Sequence, residues 1–369
     1  MKIAYFTNIE LKEQSGGASG LNVAIFNQLK KRFEVSLMPV IYPKSDFPTK
    51  IISKGKRILG LRGEYHFFSD DRLSKVSSTF NTISVKQKSN KCFFFGFTQW
   101  IKTKPQEPYY SFNDACFATY VNVYNDKEDF LEKDLERIFT LESNWLKNAK
   151  KVFFTSQWAL EETKNYYKTN GENFINVGVG GFIDIPKKDN YKEGYNFLFI
   201  SREFIPKGGV TVVDALILVR KKYPEAKLWI VGEKPSDEIL SNEGVIYKGF
   251  FDKSNPEEEK ELNTIFQESF AIVHPTLKDT TTLVINELAY FGCPAISSNK
   301  FAIPEYLIDG KSGYLLDNPR DENELASKMI LMMQDKSSYF KMREFTRENS
   351  VNNNTWDKVG ERMIKSIEY

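Results

Sequence analysis

Short runs of consecutive apolar residues alternate along this chain with longer stretches whose apolar residues recur every three or four positions. The first pattern predicts buried strands at 2–7, 34–40, 91–97, 108–112, 151–155 and 173–179, and again at 195–201, 228–231, 245–249 and 270–273. The second predicts helices at 20–32, within 126–142, from Ser156 onward, and at 210–222, 257–267, 283–291, 322–334, 337–347 and 356–367. Strand, polar loop, helix and strand in repetition form the unit of a doubly wound α/β sheet, which binds ligands at the carboxyl ends of its strands. The run 186–194 is charged and poor in apolar residues, and reads as a linker between two such sheets. A polar run at 350–355 reads as a helix stop before the last amphipathic stretch.

Length and composition agree with two domains. The chain has 369 residues, 41% of them hydrophobic, with 30 Phe and 18 Tyr to make aromatic cores. A net charge of +2 gives no whole-protein field for nucleic acid. Cys92, Cys116 and Cys293 are scattered and form no Cys-x-x-Cys pair, which suggests reduced thiols and a cytoplasmic setting. The start, Met-Lys-Ile-Ala-Tyr-Phe, reads as a first strand, not a signal peptide, and no apolar run approaches a membrane span. With no Asp-x-Asp and only His66 and His274, far apart, a metal site has little support. The two histidines read as a loop residue and a strand-end hydrogen bond.

Candidate chemistry concentrates after the strand at 270–273. A polar loop, His274–Thr282, leads into a helix stopped by Gly292 and Pro294. Asp279 lies just before that helix, and Glu287 about a turn and a half inside it, on an otherwise apolar face. Both can face one ligand beside a helix N-terminus, where acids suit sugar hydroxyls. The plainer alternative is a helix cap at Asp279 and a solvated Glu287. Arg202 and Lys207 flank a loop that follows the strand at 195–201 and ends at a helix start. Two cations and exposed N–H groups there make a diphosphate clamp, against the alternative of two surface cations. The region 43–104 carries eight basic and four acidic residues in 44–75 and five lysines with no acid in 86–104, interleaved with aromatics. It reads either as a variable surface loop with a solvated basic face, or as a patch for an anionic or lipid-linked glycan, with possible peripheral membrane contact.

These motifs together resemble those of glycosyltransferase family 4. Asp279-Thr-Thr-Thr-Leu-Val-Ile-Asn-Glu287 is similar to its acid–x7–acid motif, with His274-Pro275-Thr276 before it and Gly292-Cys-Pro294, Ile303-Pro304-Glu305 and Asp309-Gly310 after it. Arg202-x4-Lys207 resembles its cation pair, and Thr355-Trp356-Asp357 the start of its last helix. The resemblance implies a GT-B fold: two Rossmann-like domains facing each other across a cleft, the C-terminal helix crossing back to the N-terminal domain. It puts an acceptor-side domain at 1–185, joined by helix 356–369, and a nucleotide-sugar-binding domain at 186–349. The implied activity is retaining transfer of a sugar from a nucleotide sugar to a glycan, glycolipid or protein acceptor, without metal or other cofactor. Arg202 and Lys207 would hold the diphosphate and Glu287 the ribose. Asp279, with the backbone of Thr280, Thr281, Thr282 and Leu283, would orient the donor sugar. Gly16 and Gly17, in the loop after the first strand, would approach the donor diphosphate and acceptor, although a Gly-Gly pair by itself marks only a turn. Asp114, in Asn113-Asp114-Ala115-Cys116, would stand where many relatives carry a histidine motif that this sequence lacks, the plainer alternative being a cap on the following turn.

Two departures bear on the donor sugar. The first acid is Asp, one methylene shorter than the usual Glu, and a threonine triplet replaces the usual glycine-bearing turn. Two other readings share the fold: a non-hydrolysing nucleotide-sugar epimerase, which needs acid/base groups that a histidine-poor N-terminal half hardly supplies, and a non-catalytic nucleotide or sugar binder.

Overall fold

The computed structural model describes residues 1–11, 17–44, 46–86, 89–281 and 283–369. Contacts divide these into two compact units, Met1–Gly178 with Val359–Tyr369, and Val179–Lys358. Each is built on a six-stranded, fully parallel sheet with helices connecting its strands, the α/β architecture of the GT-B fold.

In the first unit the strands are β1 (Lys2–Phe6), β2 (Glu34–Leu37), β3 (Lys91–Phe95), β4 (Tyr109–Asn113), β5 (Lys151–Phe154) and β6 (Phe174–Asn176), in spatial order β2-β1-β3-β4-β5-β6. The central strands are buried on both faces, which is why they read as continuous apolar runs without alternation. In-register pairing places Tyr5 beside Phe93, Phe93 beside Tyr110, and Tyr110 next to Lys151. Tyr5 and Phe93 stack at 5.4 Å on one face of the sheet, and Phe6 and Phe94 stack at 5.2 Å on the other. Stacked pairs of this kind take up part of the chain's aromatic content.

The second unit repeats the plan with β7 (Asn196–Ser201), β8 (Lys227–Gly232), β9 (Val245–Gly249), β10 (Ala271–His274), β11 (Ala295–Ser298) and β12 (Gly313–Leu316), in order β12-β11-β10-β7-β8-β9. Its core gathers Phe197, Phe199, Leu216, Ile230, Val273 and Met329. Arg343 staples the unit together. It is buried, forms two hydrogen bonds to the Asp189 carboxylate at 2.7 and 2.8 Å, donates to the carbonyls of Ser269 and Phe291, and lies 4.2 Å over the Tyr191 ring.

Several expectations need correction. The units divide after Gly178, ahead of the 186–194 run, because Gly181 N–H donates to Tyr290 Oη (2.8 Å) and Phe182 N–H to Glu287 Oε1 (2.9 Å) within the second unit. Residues 350–355 are not all a linker, since helix Lys336–Asn353 runs through Ser350, whose hydroxyl bonds to Asn286 Oδ1 at 2.5 Å. The last helix, Trp356–Glu368, gives its first turn to the second unit and the rest to the first. There Gly360 lies against Gln28, and Arg362 donates to the Val177 carbonyl at 2.8 Å.

Nor is 43–104 a surface loop. It holds helices Phe47–Ile58 and Asp70–Ser84 as well as β3, and Phe80, Phe93, Phe94, Phe97 and Trp100 are core residues. The aromatics expected to interleave with an exposed basic face are thus spent mostly on the interior. All three cysteines are free and buried. Burial pushes the Cys92 and Cys293 thiols up to about 12 and raises that of Cys116. No described helix is long and apolar enough to cross a membrane.

Candidate active site

The second sheet reverses its winding between β7 and β10. Ligands bind doubly wound sheets at such a point, outside the carboxyl ends of the strands. The loops leaving these two strands carry the candidate residues. After β7 the chain runs Arg202 to Gly208 and enters helix Gly209–Arg220. Gly208 has φ +87°, and a Cβ there would sit 2.6 Å from the Pro275 carbonyl oxygen in the loop after β10. The two loops therefore touch through backbone, which only glycine permits at this conformation. No side chain caps the helix; Gly209 N–H donates to the Phe204 carbonyl at 2.9 Å, and the rest of the first turn gives this edge a partial positive charge.

Lys207 reaches across the same gap. Its Nζ lies 3.0 Å from Asp279 Oδ2 and donates to the Lys278 carbonyl at 2.6 Å, with both paired side chains mostly buried. Asp279 also does what the plainer reading expected of it: Oδ1 accepts from Thr281 N–H at 3.3 Å, shaping the turn before helix Leu283–Ala289. Thr280 is buried, and Leu283 N–H bonds to the Thr281 carbonyl. Thr282 lies outside the described residues. Arg202 is exposed, with its guanidinium 5.7 Å over the Phe250 ring at the end of β9. The structure thus brings Lys207 and Asp279 into contact, and sets Arg202 on the same edge without joining it to them.

Glu287 is not the solvated helix residue of the plainer reading. It is 4% exposed, one oxygen accepts from Phe182 N–H at 2.9 Å, and the other from Lys253 Nζ at 2.7 Å. Neither partner was singled out from sequence. Lys253 follows β9 in a polar turn, and its position just beyond a strand's carboxyl end was the one available signal. Glu233, after β8, was likewise assigned no role, yet its carboxylate accepts from Phe204 N–H and anchors the Arg202–Lys207 loop. Gly232 before it has φ +109°, with no space for a Cβ against the Ser201 carbonyl.

His274 ends β10 and is buried. The strand-end hydrogen bond expected of it is made by its backbone carbonyl, which accepts from the Ser297 hydroxyl at 2.6 Å. Its Nδ1 finds no partner among the described residues. Burial first, and the Lys207 charge second, hold the imidazole neutral by lowering its pKa to about 3. His66 sits in the 3₁₀ turn His66–Phe68 instead of a loop.

The first unit offers two of the expected residues at the carboxyl edge of its own sheet. Gly17 opens helix Gly17–Lys30 with φ +64° and open space where a Cβ would lie, while Gly16 is outside the described residues. Asp114 follows β4 and is half-buried. At the opposite, N-terminal edge of the second sheet, Tyr195, Phe270, Met332, Met333 and Tyr339, with Lys192 and Lys336 among the charged residues at its rim, line a cavity of about 340 Å³ away from the loops after β7 and β10.

An uncharacterized 41.2 kDa protein of the cps region of Klebsiella pneumoniae is 30% identical over 167 residues, 44% of this chain and 42% of that protein. The poly(glycerol-phosphate) alpha-glucosyltransferase of Bacillus subtilis is 28% identical over 239 residues, 59% of this chain and 33% of that protein. The chain thus spans less than half the length of these curated relatives. Among solved structures, sucrose-phosphate synthase from Thermosynechococcus elongatus superposes with a TM-score of 0.70 at 14% identity, over 100% of this chain and 98% of the other. Residues 182–349, which hold every candidate side chain of the second unit, match the sequence family described as Glycosyl transferases group 1.

Proposed function

We propose that the chain is a retaining glycosyltransferase that moves a sugar from a nucleotide-sugar donor to an acceptor hydroxyl in glycan biosynthesis. The observation that carries this reading is the Lys207–Asp279 contact at the switch point of the second sheet, beside an uncapped helix start. A cation, a carboxylate and the positive end of a helix at one sheet edge suit a ligand that is anionic at one end and rich in hydroxyls at the other. A sugar diphosphate is such a ligand. The alpha-glucosyltransferase named among the relatives supports the same class.

In the proposed reaction the bond between the anomeric carbon and the diphosphate oxygen breaks, its electron pair leaving with the nucleoside diphosphate. The acceptor oxygen bonds to the same face of the anomeric carbon, and its proton passes to the departing phosphate. Lys207 and Arg202 offset the charge that grows on the leaving group, the electrostatic role that commonly dominates such transfers. Glu287 uses one lone pair on each oxygen for Phe182 N–H and Lys253, leaving one on each for a ribose diol. Asp279 and the Thr280–Thr281 backbone orient the donor sugar. The two cations take the place of a metal bridge.

The test is incubation of the full chain with a panel of nucleotide sugars and a glycerol-phosphate polymer, in chelator. Release of nucleoside diphosphate with an α-linked product from an α-linked donor is expected. Epimerised donor, an inverted product, or strict dependence on added manganese or magnesium would overturn the corresponding part of the reading.

A further inference from the structure

Helix Phe47–Ile58 buries one residue, Ser53, whose hydroxyl accepts from Glu64 N–H at 3.0 Å. Gly63 presses against Ser53 so closely that a Cβ would lie 2.9 Å from it. The rest of the helix and the turn after it leave an unusual set of side chains in solvent: Phe47 is 67% exposed, Ile51 54%, Ile52 57%, Ile58 75%, Leu59 76% and Leu61 57%. Isolated apolar residues on a surface need no explanation, but six within fifteen positions of one element do.

Their arrangement is orderly. At 100° per residue, Phe47, Ile51, Ile52, Ile58 and Leu59 fall within an arc of about 140°, centred nearly opposite Ser53 and so directed away from the protein. Lys54 borders one side of that arc and Lys56 the other. From 47 to 63 there are five cations, Lys50, Lys54, Lys56, Arg57 and Arg62, and no acid. Arg62 pairs with Glu128 and Arg57 lies over the Phe130 ring.

We propose that this helix is an interfacial anchor that seats the first unit on an anionic lipid bilayer. The apolar arc enters the headgroup–acyl boundary while the lysines on its borders extend to lipid phosphates, burying their methylene stems. Twelve residues are too few to span a bilayer, so the helix lies in the interface plane. A protein partner fits less well, because the cores of protein interfaces are depleted of lysine, and a soluble polyanion would use the charges without the isoleucines. The proposal does not depend on the reaction above, and its test requires no turnover.

The experiment is flotation of the full chain with vesicles of phosphatidylcholine alone, or with about a third of the lipid replaced by phosphatidylglycerol. Wild type should float with the anionic vesicles, weakly with the neutral ones, and less as salt is raised. The triple variant Ile51→Gln, Ile52→Gln, Ile58→Gln should partition roughly tenfold less or worse, with an unchanged thermal midpoint because all three side chains are exposed. Failure of wild type to float, or flotation that the triple variant leaves intact, would overturn the proposal. So would a wild-type dimer on size-exclusion chromatography that the triple variant dissociates without lipid, which would assign the face to a second copy. Binding to soluble polyphosphate, insensitive to the isoleucine changes and unaccompanied by flotation, would assign it to a polyanion and equally refute the anchor.

Discussion

Glu287→Gln is the sharpest perturbation of the candidate site, because both oxygens of this carboxylate already have donors facing them. An amide has one oxygen. If that oxygen keeps Phe182 N–H, the new amino group confronts the Lys253 ammonium; if the side chain flips, it confronts Phe182 N–H. Either way a donor faces a donor in a place where the Glu287 side chain is 6% exposed and Lys253 25% exposed. Loss of a charged hydrogen bond at a buried carboxylate costs about 1.5–3 kcal/mol, and the ammonium left behind keeps the figure toward the upper end. Urea unfolding should therefore show a loss of about 2–3 kcal/mol without any ligand. Crossing the change with Lys253→Met should return a coupling of about 1–3 kcal/mol. Binding adds a separable readout. Wild type should prefer a ribonucleoside diphosphate to its 2′-deoxy analogue by roughly tenfold to a hundredfold, and the variant should largely lose that preference. A stability change below about 0.5 kcal/mol would refute the buried pair, and equal discrimination in both proteins would refute the ribose contact whatever happens to turnover.

Lys207→Ala should weaken nucleoside diphosphate binding by about 1.5–3 kcal/mol in calorimetry while the fold persists, and unchanged affinity would remove it from the clamp. Arg343→Met should destabilise by about 3 kcal/mol in urea, since Asp189 keeps only its Tyr191 N–H donor and the Ser269 and Phe291 carbonyls lose the guanidinium in the interior. His274 gives a pH signature. Its folded pKa, about 3, lies below the ordinary 6.5, so the unfolded chain takes the proton first. Its contribution to stability is full above 6.5 and is lost as pH falls toward 3. Between pH 7.5 and 5 the loss is about 2 kcal/mol, at about 1.4 kcal/mol per unit. Unfolding of His274→Leu should lack that part of the slope, and parallel pH profiles for variant and wild type would contradict it.

The parallel sheets were legible because buried strands declare themselves as continuous apolar runs, and the glycine at 292 marked a helix end where the backbone needs it. Asp279 and Lys207 were legible as a pair of loop positions, although that they touch each other is a fact of topology: 72 positions separate them, and strand order brings them together. Lys253 was illegible for the same reason, since its partner lies 34 residues on and a lysine in a polar turn carries no local pattern. Helix Phe47–Ile58 was missed as a helix because the density of cations around it drew the reading to a solvated basic face, and because its apolar face, though in helical register, is turned away from the core that gives such patterns their meaning. The linker was misplaced because Gly181 and Phe182 bond through backbone N–H groups, which no side chain announces.

The burial of all three cysteines has a practical consequence. With thiols held at about 12 in Cys92 and Cys293, only about one molecule in ten thousand carries either as thiolate at pH 8, and Cys116 is shifted the same way. The folded chain should therefore be nearly silent to maleimides and iodoacetamide. A single cysteine introduced at an exposed position such as Leu59 or Val210 would be the dominant reactive site, so spectroscopic probes can be attached without first removing the buried native thiols.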